Sequence, residues 1–207
     1  GLPPVRIHFH WDNDDLDPKP LHGDIRYRDR SQKNVGFSAL LLEQTNGLFH
    51  EVPTTAEADV IVTGSPVPTG RGAEFAAAVK TGKKLLVYGQ NFDPELEPLL
   101  PLKLVKRPSE GLPERLPIRF ADCELFQGKT TALRFPRYFD TTLRRGEVLA
   151  SFPDGSPFIA RCGNVIQFAC GPGIALRPRT LFYDHLLLRA ALPSAAEYAT
   201  KLEELGT

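Results

Sequence analysis

Apolar and polar residues alternate from Val5 to His10, and that period of two predicts a first strand. A polar stretch follows from Trp11 to about Arg30, with carboxylates at Asp12, Asp14, Asp15 and Asp17. It is too polar for a core and too long for a turn, so a surface excursion is expected there. From Asn34 to Thr45 the pattern changes to a helical one. Phe37, Leu40 and Leu41 fall on one face, and Asn46-Gly47 stops the run. Leu48 to Val52 predicts a second strand, ended by Pro53. Val60 to Thr63 is a continuous apolar run, as expected of a strand buried on both faces, and Gly64-Ser65-Pro66 breaks it. Arg71 to Lys80 predicts an alanine-rich helix closed by Gly82. Lys84 to Tyr88 is another buried strand, broken by Gly89-Gln90-Asn91. Strands and helices alternating at this spacing imply crossover connections and a parallel sheet.

Beyond Phe92 the periodicity weakens, and prolines at 94, 98, 101, 108, 113 and 117 interrupt the short apolar runs. Order returns with three strand-like runs, Glu147 to Phe152, Pro157 to Arg161 and Asn164 to Cys170. Asp154-Gly155 and Cys162-Gly163 are the turn signals between them. A β-meander that rejoins the sheet is expected, with Gly171-Pro172-Gly173 ending its last strand. Thr180 to Leu192 reads as a largely buried helix. Ser194 with Glu197 makes a capping box for a final helix whose apolar face is Tyr198, Leu202 and Leu205. The fold class expected is α/β, with a flavodoxin-like open, mostly parallel sheet, helices on both faces and a C-terminal β-meander. One domain over 1–192 is followed by a C-terminal helix over 193–207.

Composition narrows the function classes. The 207 residues suffice for one ordinary core, and 42% hydrophobic with 24% charged residues is the balance of a soluble globular protein. Formal net charge is zero. That argues against a nucleic-acid or membrane-surface partner, since each requires a basic excess. No apolar run approaches a bilayer span, and no signal peptide is visible, so a cytoplasmic location is expected. The absence of methionine suggests a processed chain or a piece of a larger one. Cys123, Cys162 and Cys170 fit no zinc template and are expected as reduced, mostly buried thiols; a disulfide between Cys162 and Cys170 is the alternative.

In open parallel sheets ligands bind outside the carboxyl ends of the strands. That rule selects His10-Trp11-Asp12, Thr63-Gly64-Ser65 and Gly89-Gln90-Asn91. The candidate ligand-binding residues are therefore His10, Trp11, Asp12, Asp14, Ser65, Gln90 and Asn91. His8 and His10 share a strand face and could hold a metal with Asp12 or Asp14 completing the site. The simpler reading is a capped strand end before a solvated acidic loop, and no cofactor or resident metal is expected. Trp11 offers either a sugar-stacking platform or a loop anchor. Arg26, Arg28 and Arg30, interleaved with Asp24 and Asp29, read as a solvated face with local ion pairs. The segment from Gly64 to Gly72 lacks the Lys-Ser or Lys-Thr pair of a phosphate loop, and no G-x-S-x-G elbow occurs.

Two stretches resemble class I glutamine amidotransferases. Lys83-Lys84-Leu85-Leu86-Val87-Tyr88-Gly89 is similar to the strand leading into their nucleophile turn. Val165-Ile166-Gln167-Phe168-Ala169-Cys170 is similar to the strand carrying their histidine and glutamate, usually G-V-Q-F-H-P-E. Here the turn offers Gly89 in place of cysteine. The histidine position falls on Ala169 and the glutamate position near Gly171, while Cys170 lies on the wrong strand to be the nucleophile.

A closer resemblance is to the amidotransferase-like trimerisation domain of family 42 β-galactosidases. Three groups of residues carry it. The first is Trp11, Pro18–Pro20, Asp24-Ile25-Arg26-Tyr27 and Phe49-His50-Glu51-Val52. The second is Ala58-Asp59-Val60-Ile61-Val62 with Gly82 to Val87. The third is Val148-Leu149-Ala150, Asp154 to Arg161 and Gly163 to Phe168. None is a catalytic motif. The resemblance implies a non-catalytic accessory domain of a carbohydrate-active enzyme, with an assembly or substrate-rim role. Its partners would be a carbohydrate ligand and either further copies of itself or a partner catalytic domain. The residues alone leave two other classes open: a small metal-dependent hydrolase using the first strand end, and a ligand-binding domain using the carboxyl edge of the sheet.

Overall fold

In the computed structural model, residues 3–10, 48–64, 70–89, 93–107, 115–126, 128, 130–134, 137, 139–170 and 190–191 are described. The first strand is β1 (Val5–His10), followed by β2 (Phe49–Glu51), β3 (Val60–Thr63), helix α1 (Gly72–Lys80) and β4 (Lys84–Tyr88). These five elements fall where the hydrophobic pattern places them. Expected features at 11–30, 34–45 and 193–207 lie outside the described residues.

Between β4 and the closing meander the chain forms elements that the periodicity did not reveal. A 3-10 turn (Glu97–Leu99) leads to β5 (Leu102–Lys106), then β6 (Arg115–Phe120), β7 (Thr130–Arg134) and β8 (Phe139–Leu143). The meander is β9 (Glu147–Ser151), β10 (Pro157–Cys162) and β11 (Val165–Phe168). Nine strands make one sheet in the order β2-β1-β3-β4-β11-β10-β9-β6-β7, and β5 and β8 pair separately as a two-stranded ribbon. The pairings β2-β1-β3-β4-β11 are parallel, and the remaining four are antiparallel. Of the nine, β10 and β6 run against the other seven. The sheet is therefore mixed and mostly one-directional, with the 2-1-3-4 order of flavodoxin-like folds in its parallel half.

Alternation sorts the parallel strands into two faces. On one, Ile61, Leu85, Val87 and Val165 pack with Phe75 and Ala78 of α1 and with Leu96 and Leu100 of the following segment. On the other, Val5, Ile7, Phe9, Val60, Val62, Leu86, Tyr88, Ile166 and Phe168 join Leu149, Phe158 and the helical residues Ala190 and Ala191. Tyr88 and Phe168, in register across β4 and β11, stack with centroids 4.5 Å apart and planes 8° from parallel. Helix α1 presents Gly72, Phe75 and Ala76 to the sheet at helical spacing and ends at Thr81, where Gly82 takes φ +93°.

The turn from β8 to β9 depends on one glycine. Gly146 has φ +78°, and a Cβ built there would lie 1.9 Å from the carbonyl oxygen of Arg161. Backbone is the obstacle, so no side-chain rotation relieves it. Gly146→Ala is expected to cost at least about 2 kcal/mol, through the left-handed conformation and the collision together. Chemical denaturation of the variant checks this; a loss below about 0.5 kcal/mol, the scale of an ordinary surface change, would contradict the turn geometry.

Candidate functional site

In the order β2-β1-β3, the chain leaves β1 to one side and returns on the other. The crevice between the carboxyl ends of β1 and β3 is thus a topological switch point. His10 and Thr63 end these strands and pair across the ladder. Both are buried, His10 at 2% exposure and Thr63 at 0%.

The first turn of α1 covers this pair. Arg71, its N-cap residue, places Nη1 2.9 Å from His10 Nδ1. A guanidinium has donors and no acceptor, so Nδ1 of His10 accepts and the ring is held neutral. The other guanidinium nitrogens of Arg71 donate to both carboxylate oxygens of Glu74 at 2.8 Å. The Thr55 hydroxyl donates to the same carboxylate. Phe75 completes the cluster, with its ring 5.5 Å from the His10 ring and 5.3 Å from the Arg71 guanidinium carbon. Two residues earlier on the same face of β1, His8 donates from Nδ1 to the carbonyl of Val52 at 3.0 Å. Nε2 of His8 and the Thr63 hydroxyl have no hydrogen-bond partner among the described residues.

Asp93, 1% exposed, closes the end of α1 from outside the helix. Its carboxylate accepts from the Gly70 N–H at 3.2 Å, and its Cβ takes the space where a Cβ on Gly72 would stand, 2.5 Å away. A carboxylate beside a helix N-terminus is favoured by the orphan N–H groups and the macrodipole. Glu74 on Arg71 and Asp93 on the Gly70 N–H thus put two carboxylates at the start of the helix. Among the described residues no three His, Cys, Asp or Glu side chains gather as metal ligands. The Arg71 cation on His10 also opposes a second cation there. Of the residues singled out from the sequence, His8 and His10 meet in this cluster. Trp11, Asp12, Asp14, Ser65, Gln90 and Asn91 lie outside the described residues.

A second part of the carboxyl edge lies at β4 and β11. Phe168 pairs with Tyr88, which brings the next residues, Gly89 and Ala169, level with each other. Gly89 has φ +69° and donates its N–H to the Phe168 carbonyl at 2.8 Å. A Cβ at Gly89 would have room, its nearest neighbours being the Cys170 carbonyl oxygen at 3.7 Å and the Phe139 ring at 3.9 Å. The turn at Gly89 is therefore left-handed, and it carries no side chain. Beside it Ala169 and Cys170 are both 1% exposed. Burial pushes the Cys170 thiol far above its ordinary value, which leaves it protonated and inert. None of the three cysteines is in a disulfide, so the pairing of Cys162 with Cys170 is not made.

Gln167 fixes this edge from beneath. It is 1% exposed; its Oε1 accepts from the Leu102 N–H at 2.9 Å, and its Nε2 donates to the Gly89 carbonyl at 3.1 Å. Sequence reading passed over it, although a glutamine inside Val165-Ile166-Gln167-Phe168 was a readable signal, because a buried amide must be paired. Farther along the edge, Arg137 lies 4.2 Å above the Phe152 ring and donates to Asp154 and Ser156, each at 2.7 Å. A cleft of about 350 Å³ opens where β6 leaves β9, walled by strand backbone and apolar side chains with Arg119 and Ser151 as its polar groups.

Comparison by sequence is silent: no protein-family model and no curated protein matches the chain. Solved structures do match it. A cold-adapted β-galactosidase from Rahnella sp. superposes with a TM-score of 0.64 at 12% identity, over 96% of this chain and 31% of that one. A GH42 β-galactosidase from G. stearothermophilus, in a catalytic mutant form, gives 0.57 at 12% identity, over 92% of this chain and 30% of that one. A glutamine amidotransferase from Thermotoga maritima gives 0.50 at 14% identity, over 97% of this chain and 94% of that one. The chain spans about a third of the glycoside hydrolases and nearly the whole amidotransferase. The fold is that of an amidotransferase-like domain. Among the described residues no helix is long and apolar enough to cross a membrane.

Two outcomes follow from this geometry. Gln167→Leu leaves the Leu102 N–H and the Gly89 carbonyl buried without partners, and should destabilise by about 2–4 kcal/mol in urea titration. A loss under about 1 kcal/mol would mean that the two groups find other partners. The second concerns pH. Arg71 holds Glu74 down at about 2, against an ordinary 4.5, with help from Thr55. Ser156 and Arg137 hold Asp154 down at about 2, against 3.8. Depressed carboxyls contribute stability above their ordinary values and lose it as protons bind. The melting temperature should therefore fall as pH drops from about 4.5 towards 2. Glu74→Gln should shrink that decline and cost on the order of 1 kcal/mol or less near neutrality, since the pair is half exposed.

Proposed function

We propose that this chain is a non-catalytic amidotransferase-like module of a carbohydrate-active enzyme, with an assembly role or a place at the rim of a neighbouring substrate site. The observation that carries the reading is the juxtaposition of Gly89 and Ala169. The parallel register of β11 on β4 places them level at the carboxyl edge, where an amidotransferase needs a thiol and an imidazole. Hydrogen and methyl stand there instead. Without a nucleophile and a base, no thioester forms and ammonia is not released from glutamine.

The partial overlap with glycoside hydrolases supports the second half of the reading. The segment of the β-galactosidases that matches this chain is about a third of each enzyme. The partners proposed are accordingly a catalytic domain supplied by a longer polypeptide or a separate subunit, further copies of this chain, and a carbohydrate bound where they meet. Helices on both faces of the sheet and a C-terminal helix over 193–207 belong to the same proposal. Free thiols at Cys123, Cys162 and Cys170 suit a reducing compartment, and a cytoplasmic location is proposed with them. A ligand-binding role keeps one specific support. The Thr63 hydroxyl, at the end of β3, and His8 Nε2, two residues before the end of β1, are buried and without partners among the described residues.

An ammonia-release assay with glutamine, on the chain as it stands and on Gly89→Cys, tests the loss of chemistry. Neither protein is expected to turn over, because Ala169 supplies no base to the introduced thiol; release by either would overturn the reading. A thermal-shift series with galactosides and mannosides then separates the two roles. A ligand that binds only the native state raises the midpoint once its concentration exceeds the dissociation constant. A rise supports the rim role, and a flat series supports assembly.

A further inference from the structure

The ladder between β6 and β9 stops early, and two prolines account for it. Arg119 lies opposite Ser151 and Phe120 opposite Ala150, and past them the Ala121 N–H donates to the Leu149 carbonyl at 2.9 Å. Antiparallel strands exchange these bonds at alternate residues. The next bonding position beyond Arg119 and Ser151 would therefore set Pro117 opposite Pro153. Proline has no N–H, so neither residue can donate across the gap. The strands part there, and the cleft of about 350 Å³ lies beside the junction. That volume falls at the lower end of the range for small-molecule sites.

Paired residues of adjacent strands project from the same face, which puts Arg119 and Ser151 together at this cleft. Arg119 is exposed and forms no ion pair among the described residues. Arg137, by contrast, is held by Asp154, and Arg161 by Glu124 and Glu147. No carboxylate lines the cleft. Asp154, which stands in sequence between its lining residues Pro153 and Gly155, is already engaged by Arg137 and Ser156. An exposed arginine alone needs no partner, because water solvates it. Here it adds a single cation to a space that is otherwise apolar apart from the Ser151 hydroxyl and strand backbone. A guanidinium fork matches a carboxylate with two parallel N–H donors, and a hydroxyl can supply a third.

We propose that the cleft between β6 and β9 binds a small organic carboxylate, its anion on Arg119 and Ser151 and its apolar body against the wall that includes Phe120, Ala150 and Phe152. This site goes beyond the assembly or rim role and does not rest on it.

Amide NMR of the full, isotopically labelled chain tests it, with benzoate as the probe and benzamide as its uncharged counterpart. Benzoate should shift the amides of Arg119, Phe120, Ala150 and Ser151 saturably, with a dissociation constant on the order of 1 mM. Benzamide should bind at least about tenfold more weakly. Arg119→Gln should cost benzoate a similar factor and leave benzamide nearly unchanged, a contrast that general disturbance of the strand would not produce. Ala121→Leu, which occupies the space and leaves the cation in place, should remove binding of both. Failure of benzoate to saturate below about 20 mM overturns the proposal. So does benzoate binding that Arg119→Gln leaves intact, and so do shifts that gather away from these residues. Should a variant fail to fold, the shift map and the benzoate-to-benzamide ratio on the unaltered chain decide. The glutamine and galactoside assays judge the module reading separately, since neither uses this anion.

Discussion

Four residue pairs, from Val165 with Leu85 to Phe168 with Tyr88, lay β11 against β4 in parallel, although some eighty residues separate them in the chain. Much of the architecture depends on that ladder. It joins the parallel half of the sheet to the antiparallel meander, so the two halves share one core. It stacks Tyr88 on Phe168, and it buries Gln167 where its amide links the turn after β4 to the start of β5. A one-residue slip would turn Gln167 to the opposite face and leave the Leu102 N–H and the Gly89 carbonyl unpaired. Register here is held by polar satisfaction as well as by apolar burial.

The same ladder fixes the turn after β4 without calling on any reactive side chain. The left-handed turn at Gly89 is fixed by its N–H bond to Phe168 and by Gln167 on its carbonyl, and neither contact involves a nucleophile. Ala169 and Cys170 follow β11 into the core, and Ala169 is tied to Phe158 by its backbone N–H. Backbone hydrogen bonds and packing therefore hold this edge without any reactive side chain. At the neighbouring crevice the charges are likewise satisfied internally, with Arg71 shared between His10 and Glu74 and the helix end taken by Asp93.

How much of this was legible in the sequence varied with the range of the interactions involved. The strands Val5–His10, Val60–Thr63 and Lys84–Tyr88 could be read to the residue, because strands buried in a parallel sheet are uninterrupted apolar runs closed by glycine or polar residues. Gly89 and Ala169 could be located by resemblance, since local strand patterns carry them. The region from 92 to 146 could not be read. Its strands β5 and β8 are half exposed and pair across thirty or more residues, and β6 meets β9 through two residue pairs. Short runs with partners so distant leave no local period. Arg71, Glu74 and Asp93 were missed for a related reason: each looks like an ordinary surface charge until the fold brings β1, α1 and the segment after β4 together.

Net charge shows the same limit in another quantity. A total of zero argues against a polyanionic partner for the whole surface, yet it conceals how the charges are distributed. Carboxylates are drawn to the first turn of α1 and to the Asp154 turn, where guanidinium groups and N–H donors depress them. Arg161 at the opposite end of the sheet is held by Glu124 and Glu147. What remains unpaired is then unevenly placed, and the β5–β8 ribbon keeps cations that nothing described in the chain neutralises.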